Sequence, residues 1–433
     1  MVHRQTIVPA ARLRGIIEVP GDKSISHRAV LLNALAAGTA EISHFLAGAD
    51  CLSTIACMQA LGVSITQHGE HVRVVGHGLR GLHEAGDILD CGNSGTTLRL
   101  LAGILTGQIG RFSVLTGDGS LRSRPQRRIV EPLRALGAQI DGRDNGDRAP
   151  LAIRGAQLNE AAYTLPIASA QVKSALLLAA LSSGVAITLD GRTDGRDHTE
   201  RMLIAMGVPL TNDGGTIRLE PPGADLQPLS LRVPGDPSSA TFWWVAAAIH
   251  PDAELTTTGV GLNPSRSGAL DTLRMMGADL EIRNQRLEGS EPVADVTVRS
   301  SQLRGVVIEG AIIPRLIDEL PVLAVAAACA AGDTLIRDAQ ELRAKETDRI
   351  TTVTDGLQAL GVEVEPTADG MGISGGRRMH GVPLSSHGDH RLAMAWAIAG
   401  LVAEGYTSID DAAAVDVSYP GFWETITRIT ADN

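Results

Sequence analysis

One short pattern occurs five times along the chain and limits the fold to a repeat architecture. A helix-like stretch ends in Leu-Gly or Met-Gly, and a short apolar strand follows: LGVSI at 61, LGAQI at 136, MGVPL at 206, MGADL at 276 and LGVEV at 360. The glycines are Gly62, Gly137, Gly207, Gly277 and Gly361, at intervals of 75, 70, 70 and 84 residues. A glycine just past a helix end predicts a left-handed cap. A near-regular spacing of this size is the signature of repeated supersecondary units.

A second series interleaves with the first. AAGTAEI at 36, SSGVAITL at 182, AAGDTLI at 330 and AEGYTSI at 403 each end an apolar helix and open a strand. TGQIGRFSVL at 106 and IHPDAELTT at 249 fill the two remaining slots. The predicted class is therefore α/β, with six βαβαββ units, three per domain. The sixth unit stops near ETITRIT, without its Leu-Gly strand and hairpin. The N-terminal segment QTIVPAARLRGIIEV has strand character and no unit of its own, so it is expected to complete the sixth. VPGD occurs at Val19–Asp22 and again at Val233–Asp236, 214 residues apart. These copies predict paired hinge strands and two domains, 21–235 and 1–20 plus 236–433.

A chain of 433 residues with 44% hydrophobic content can build two sizeable cores. Aromatics are 3%, which argues against stacking on nucleic-acid bases. Net charge is −11, which disfavours nucleic acid and anionic membranes as partners. No apolar run approaches the roughly 20 residues that span a bilayer, and the N-terminus has no signal-like apolar stretch. Cys51, Cys57, Cys91 and Cys329 show neither metal spacing nor pairing, so a reduced cytoplasm is expected.

The unit-opening loops are PGDKSISHR, DCGNSGTT, PIASAQVK, PGDPSSAT, AIIPRLIDE and SHGDHRLA. Each runs into a helix N-terminus, where free N–H groups and the helix dipole favour anions. Lys23, Arg28, Arg99, Arg124, Arg349 and Arg391 lie in or near these loops. Lysine occurs only at 23, 173 and 345. Capping alone explains any single loop; the shared basic residues point to one basic cleft between the halves for phosphorylated small molecules. PGDPSSAT carries no basic residue and reads as a hinge.

The combination of KSISHR, DCGNSGTTLRL, the Arg124-Pro125 pair, SAQVKSA, AKETDRI and GDHRLAMA resembles the 5-enolpyruvylshikimate-3-phosphate (EPSP) synthase family, over essentially the whole chain and in the family's order. RDHTE at 196 and NPSRSG at 263 are similar to its class II branch. The resemblance implies a two-domain inverse α/β barrel of the enolpyruvyl transferase type, a monomer whose halves close on substrate. It implies transfer of the enolpyruvyl group of phosphoenolpyruvate to the 5-hydroxyl of shikimate 3-phosphate, with neither cofactor nor metal. Glyphosate competes with phosphoenolpyruvate in that family.

By the same resemblance, Asp318 takes the hydroxyl proton, Glu346 exchanges protons with the methylene carbon, and Lys23 shares in the transfer and touches both substrates. Shikimate 3-phosphate is expected at Lys23, Ser24, Arg28, Ser169, Ala170, Gln171, Arg196, Asp318 and Lys345. Phosphoenolpyruvate is expected at Lys23, Asn93, Gly95, Arg124, Gln171, Glu346, Arg349, His390 and Arg391. Lys173 is expected to cap or solvate its helix, and His27 and Arg99 to be structural. Ala170 can offer only its backbone, and Val417 stands where some members place a lysine. UDP-N-acetylglucosamine enolpyruvyl transferases share the fold, but their reactive loop cysteine has no counterpart in LTGDGSLRSRPQRR.

Overall fold

The computed structural model describes residues 4–431; residues 1–3 and 432–433, which the expected domain bounds include, lie outside the described residues. The chain divides into two compact units. One comprises Gly21–Val233 with Glu288–Glu291; the other gathers the chain up to Pro20, Pro234–Leu287 and everything from Pro292 on.

The first unit holds three four-stranded sheets with one shared strand order. In the sheet of Leu89–Asp90, Phe112–Thr116, Arg148–Arg154 and Gln139–Gly142, the first two strands are parallel. The last two form an antiparallel hairpin. The sheet led by Ala161–Leu165 repeats this arrangement. The third sheet takes its leading strand from far along the chain: Leu231–Arg232 pairs in parallel with Ile42 and Ser43.

The second unit repeats the plan. Val307–Ile308 leads one complete sheet. Leu13–Glu18 pairs in parallel with Ala253–Gly261 and leads another. This corrects the expectation for the N-terminal segment. Only Gln5–Ile7 joins the sixth sheet, antiparallel to Thr407–Asp410, and that sheet stays three-stranded. Leu13–Glu18 belongs to the fourth. Its register puts Leu13 and Ile17 inside and Ile16 outside, an alternation that suits a sheet covered on one face.

Each unit buries three helices that follow the leading strands: Lys23–Ala34, Gly95–Thr106 and Ala170–Ser183 in one, Pro237–Ile249, Leu320–Cys329 and His390–Gly400 in the other. These helices are buried on nearly every face, as apolar all-round helices must be. The outer helices end at the repeated glycines. Gly62, Gly137, Gly207, Gly277 and Gly361 have φ of 89°, 94°, 88°, 91° and 91°, a conformation open to glycine at little cost. Among the described residues, no helix is long and apolar enough to cross a membrane.

Candidate active site

Capping chemistry sets the helix starts. Asp22, Ser94, Ser169, Asp236 and Asp389 each accept a backbone N–H from the first turn of their buried helix. Of the residues expected to bind ligand, Lys23, Ser24, Asn93, Gly95, Ala170, Gln171, His390 and Arg391 sit beside these caps.

In the first unit, Lys23 opens its helix and donates to Asp50 Oδ2 at 3.1 Å. Arg28 is buried and donates to Thr199 Oγ1 at 2.7 Å, Ser174 Oγ at 2.9 Å and the Ser24 carbonyl at 2.9 Å. Arg196 reaches Ser24 Oγ at 3.4 Å. Ser24, Arg28 and Arg196 are thus linked through one set of contacts, with Lys23 next to Ser24 in the chain. Ser169 caps the helix that Ala170 begins. Gln171, next along, accepts from Arg99 at 2.8 Å and Arg128 at 3.4 Å and donates to Thr96 at 3.1 Å.

Arg124 donates to Asn93 Oδ1 at 2.6 Å and Ser120 Oγ at 3.1 Å, while Asn93 donates to Asp118 at 2.7 Å. Gly95 is buried among these arginines: an added Cβ would lie 2.7 Å from Arg99 NH1 and 3.7 Å from Arg124 NH1. His27 bonds Thr54 Oγ1 at 2.7 Å, and burial pushes its pKa down to about 3.

In the second unit, one guanidinium gathers the acidic residues. Arg349 is 1% exposed. It donates to Asp389 at 2.8 and 3.1 Å and to Glu346 Oε2 at 2.7 Å, and lies 3.7 Å from Asp318. Burial works against its charge, but Asp389, Glu346 and Asp318 more than offset this and raise its pKa. Lys345 donates to Asp318 Oδ1 at 3.1 Å. Asp318, Lys345, Glu346 and Arg349 therefore form one cluster, with His390 and Arg391 on the next helix start. Arg391 is 5% exposed, and its NH1 is buried with no hydrogen-bond partner among the described residues. A buried unpaired guanidinium nitrogen is costly unless an anion meets it.

Local sequence did not reveal every neighbour. Asp50, Arg128 and Asp389 contact expected site residues, yet their partners lie 27, 43 and 40 residues away. Arg99, expected to be structural, is a direct partner of Gln171. Lys173 is neither a cap nor a solvated side chain. It is 1% exposed and pairs with Glu200 at 2.6 Å. The fourth loop does acquire a basic partner, because Arg266 donates to Asp236 at 3.0 Å and Ser238 at 2.7 Å. Val417 is half-buried and leaves its position without a cation.

Cys91 is buried, and its contact with Cys57 together with burial holds its thiol far above the usual range. That is the opposite of a reactive thiolate. Among the described residues, no group of three His, Cys, Asp or Glu is placed to hold a metal ion.

Sheets of one repeated plan, capped buried helices and carboxylates gathered on Arg349 define an α/β repeat protein with charged side chains at its helix starts. The family pattern of EPSP synthase (3-phosphoshikimate 1-carboxyvinyltransferase) matches residues 7–426. The chain belongs to this family. It is 72% identical over 426 residues to the 3-phosphoshikimate 1-carboxyvinyltransferase of Roseiflexus sp. (strain RS-1), covering 98% of each chain. Identity to the enzyme of that name from Chloroflexus aggregans is 67% over 431 residues, 99% of each. The solved EPSP synthase from Acinetobacter baumannii superimposes with a TM-score of 0.87 at 41% identity, over 98% of each chain.

Proposed function

We infer that the protein transfers the enolpyruvyl group of phosphoenolpyruvate to the 5-hydroxyl of shikimate 3-phosphate, releasing phosphate, in aromatic amino-acid biosynthesis. The observation that carries the assignment of roles is Arg349, which holds both expected acid–base carboxylates, Glu346 and Asp318, within one cluster. Asp318 takes the proton of the attacking hydroxyl. Glu346 delivers one to the methylene carbon and takes one back as the C2–O bond to phosphate breaks, which restores the vinyl group and releases phosphate, with Lys23 assisting. A base and an acid placed at two different atoms let bond formation at C2 proceed without free oxyanion or carbanion.

In this reading, Lys23, Ser24, Arg28, Ser169, Ala170, Gln171, Arg196 and Lys345 bind shikimate 3-phosphate. Asn93, Gly95, Arg124, Gln171, Arg349, His390 and Arg391 bind phosphoenolpyruvate. The unpartnered NH1 of Arg391 supports an anion there. The enzyme works as a cytoplasmic monomer, and glyphosate competes for the phosphoenolpyruvate site. The test is phosphate release from phosphoenolpyruvate with shikimate 3-phosphate present and absent. Release only when it is present is expected; release with UDP-N-acetylglucosamine instead would overturn the reading.

A further inference from the structure

Lys173 lies in the second turn of the helix Ala170–Ser183, and Glu200 in the first turn of His198–Ala205. The loop between Ile187–Gly191 and the second helix carries Arg196. The Lys173 ammonium spans this loop. It donates to the Thr193 carbonyl at 3.0 Å and the Gly195 carbonyl at 2.9 Å, and meets Glu200 Oε1 at 2.6 Å. The Gly195 carbonyl belongs to the peptide bond that joins Gly195 to Arg196. Turning that peptide plane about its flanking backbone dihedrals would swing the Arg196 side chain.

The loop is also pressed against the helix start: a Cβ on Gly195 would lie 3.0 Å from the Ala170 nitrogen. Its far end is held by Thr199, which accepts from Arg28 and bonds Ser174. Both charges of the Lys173–Glu200 pair are buried, at 2% and 5% side-chain exposure. A buried ion pair adds little stability compared with well-packed apolar residues, so stability alone does not account for one. The hydrogen bonds of the lysine to the two loop carbonyls do fix geometry, while Glu200 balances its charge.

We propose that Lys173 and Glu200 are positioning residues for shikimate 3-phosphate, clamping the peptide bond before Arg196 so that its guanidinium meets the ligand already oriented. The proposal rests on the reading that Arg196 contacts shikimate 3-phosphate. Pre-orientation lowers the ordering cost of binding, so its loss appears in the affinity for this one substrate.

The test compares four forms of the full chain: parent, Arg196→Ala, Lys173→Met with Glu200→Met, and all three together. Removing both partners avoids leaving a buried lone charge. Thermal unfolding first establishes that each form is folded. The paired replacement is expected to raise KM for shikimate 3-phosphate roughly tenfold, while KM for phosphoenolpyruvate and kcat hold. The triple form is expected to be no worse than Arg196→Ala. A folded paired replacement with an unchanged KM, or full additivity in the triple form, would overturn the proposal. An Arg196→Ala form with unchanged KM would instead sink the underlying site reading, and the proposal with it. Gly195→Ala disturbs the same peptide bond with the ion pair intact. It is expected to raise the same KM, and an unchanged value for a folded Gly195→Ala form counts against the clamp even if the paired replacement does not fold.

Discussion

Arg349 and Asp389 form a buried two-pronged ion pair, with Nε donating to Oδ2 at 2.8 Å and NH2 to Oδ1 at 3.1 Å. The planar fork of arginine suits this geometry, and lysine could not reproduce it. Burial works against the charge of Asp389, yet Arg349 holds its carboxyl below the usual range. Asp389 also accepts the Arg391 backbone N–H at 2.9 Å. One carboxylate thus joins the KETDR and GDHR segments, which lie about 40 residues apart and which sequence alone presents as separate motifs.

Asp389→Asn retains the helix cap but removes the charge that Arg349 needs. Breaking a buried pair from one side costs about 3–5 kcal/mol. The expected result is a clear fall in the urea midpoint together with lower turnover, because Glu346 and Asp318 share the same guanidinium. An unchanged midpoint would show that the pair is not needed for stability.

Asp318→Asn and Glu346→Gln are near-isosteric and keep the cluster filled. If these carboxylates move protons, each substitution cuts kcat by roughly 10²–10⁴-fold. Shikimate 3-phosphate should still bind, as titration calorimetry would show, because its expected contacts lie mainly elsewhere. A non-catalytic anion-binding protein would show no turnover to lose.

His27 predicts an acid-sensitive fold. Its folded pKa is about 3, against an ordinary value of 6.5, because burial penalises the charged ring. The unfolded chain therefore takes up the proton first. The stability from this group is complete above about pH 6.5 and is lost as pH falls toward 3, at up to about 1.4 kcal/mol per pH unit. His27→Gln should flatten the stability profile in that window, read by denaturant titration at several pH values. An equally steep profile in the variant would assign the slope to other groups.

The repeat plan was legible in the sequence because each copy is marked locally. A helix-ending glycine and an apolar strand sit within a few residues of one another, and all five glycines adopt the predicted backbone. Strand partnership was harder to read. Leu13–Glu18 and Leu231–Arg232 pair with strands whose sequence positions lie far away, and no local pattern specifies which sheet receives them. The site divides in the same way. Lys23, Arg124, Arg349 and Arg391 were visible as motif cations. Their pairing with Asp50, Asn93 and Asp389 is set by tertiary contact, which the motifs do not display. Lys173 shows the limit most clearly: a lone lysine near a helix start reads as solvated, and only its carbonyl and Glu200 contacts reveal a buried clamp.

Gly95→Ala tests how closely phosphoenolpyruvate approaches this helix start. Gly95 does not have positive φ, so alanine meets no backbone strain. Its Cβ would instead fall 2.7 Å from Arg99 NH1, the far end of a flexible side chain that can yield. Arg99 NH1 donates to Gln171 at 2.8 Å, so displacing it loosens Gln171 as well. The fold should therefore keep its melting temperature while the ligand site changes. Losing about 1 kcal/mol of oriented hydrogen bonding corresponds to about a fivefold rise in KM for phosphoenolpyruvate. Glyphosate, competing for the same groups, should show a raised inhibition constant in the same assay. If both constants match the parent's, Gly95 lies outside the reach of either ligand, and the arginines around it serve only to orient Gln171.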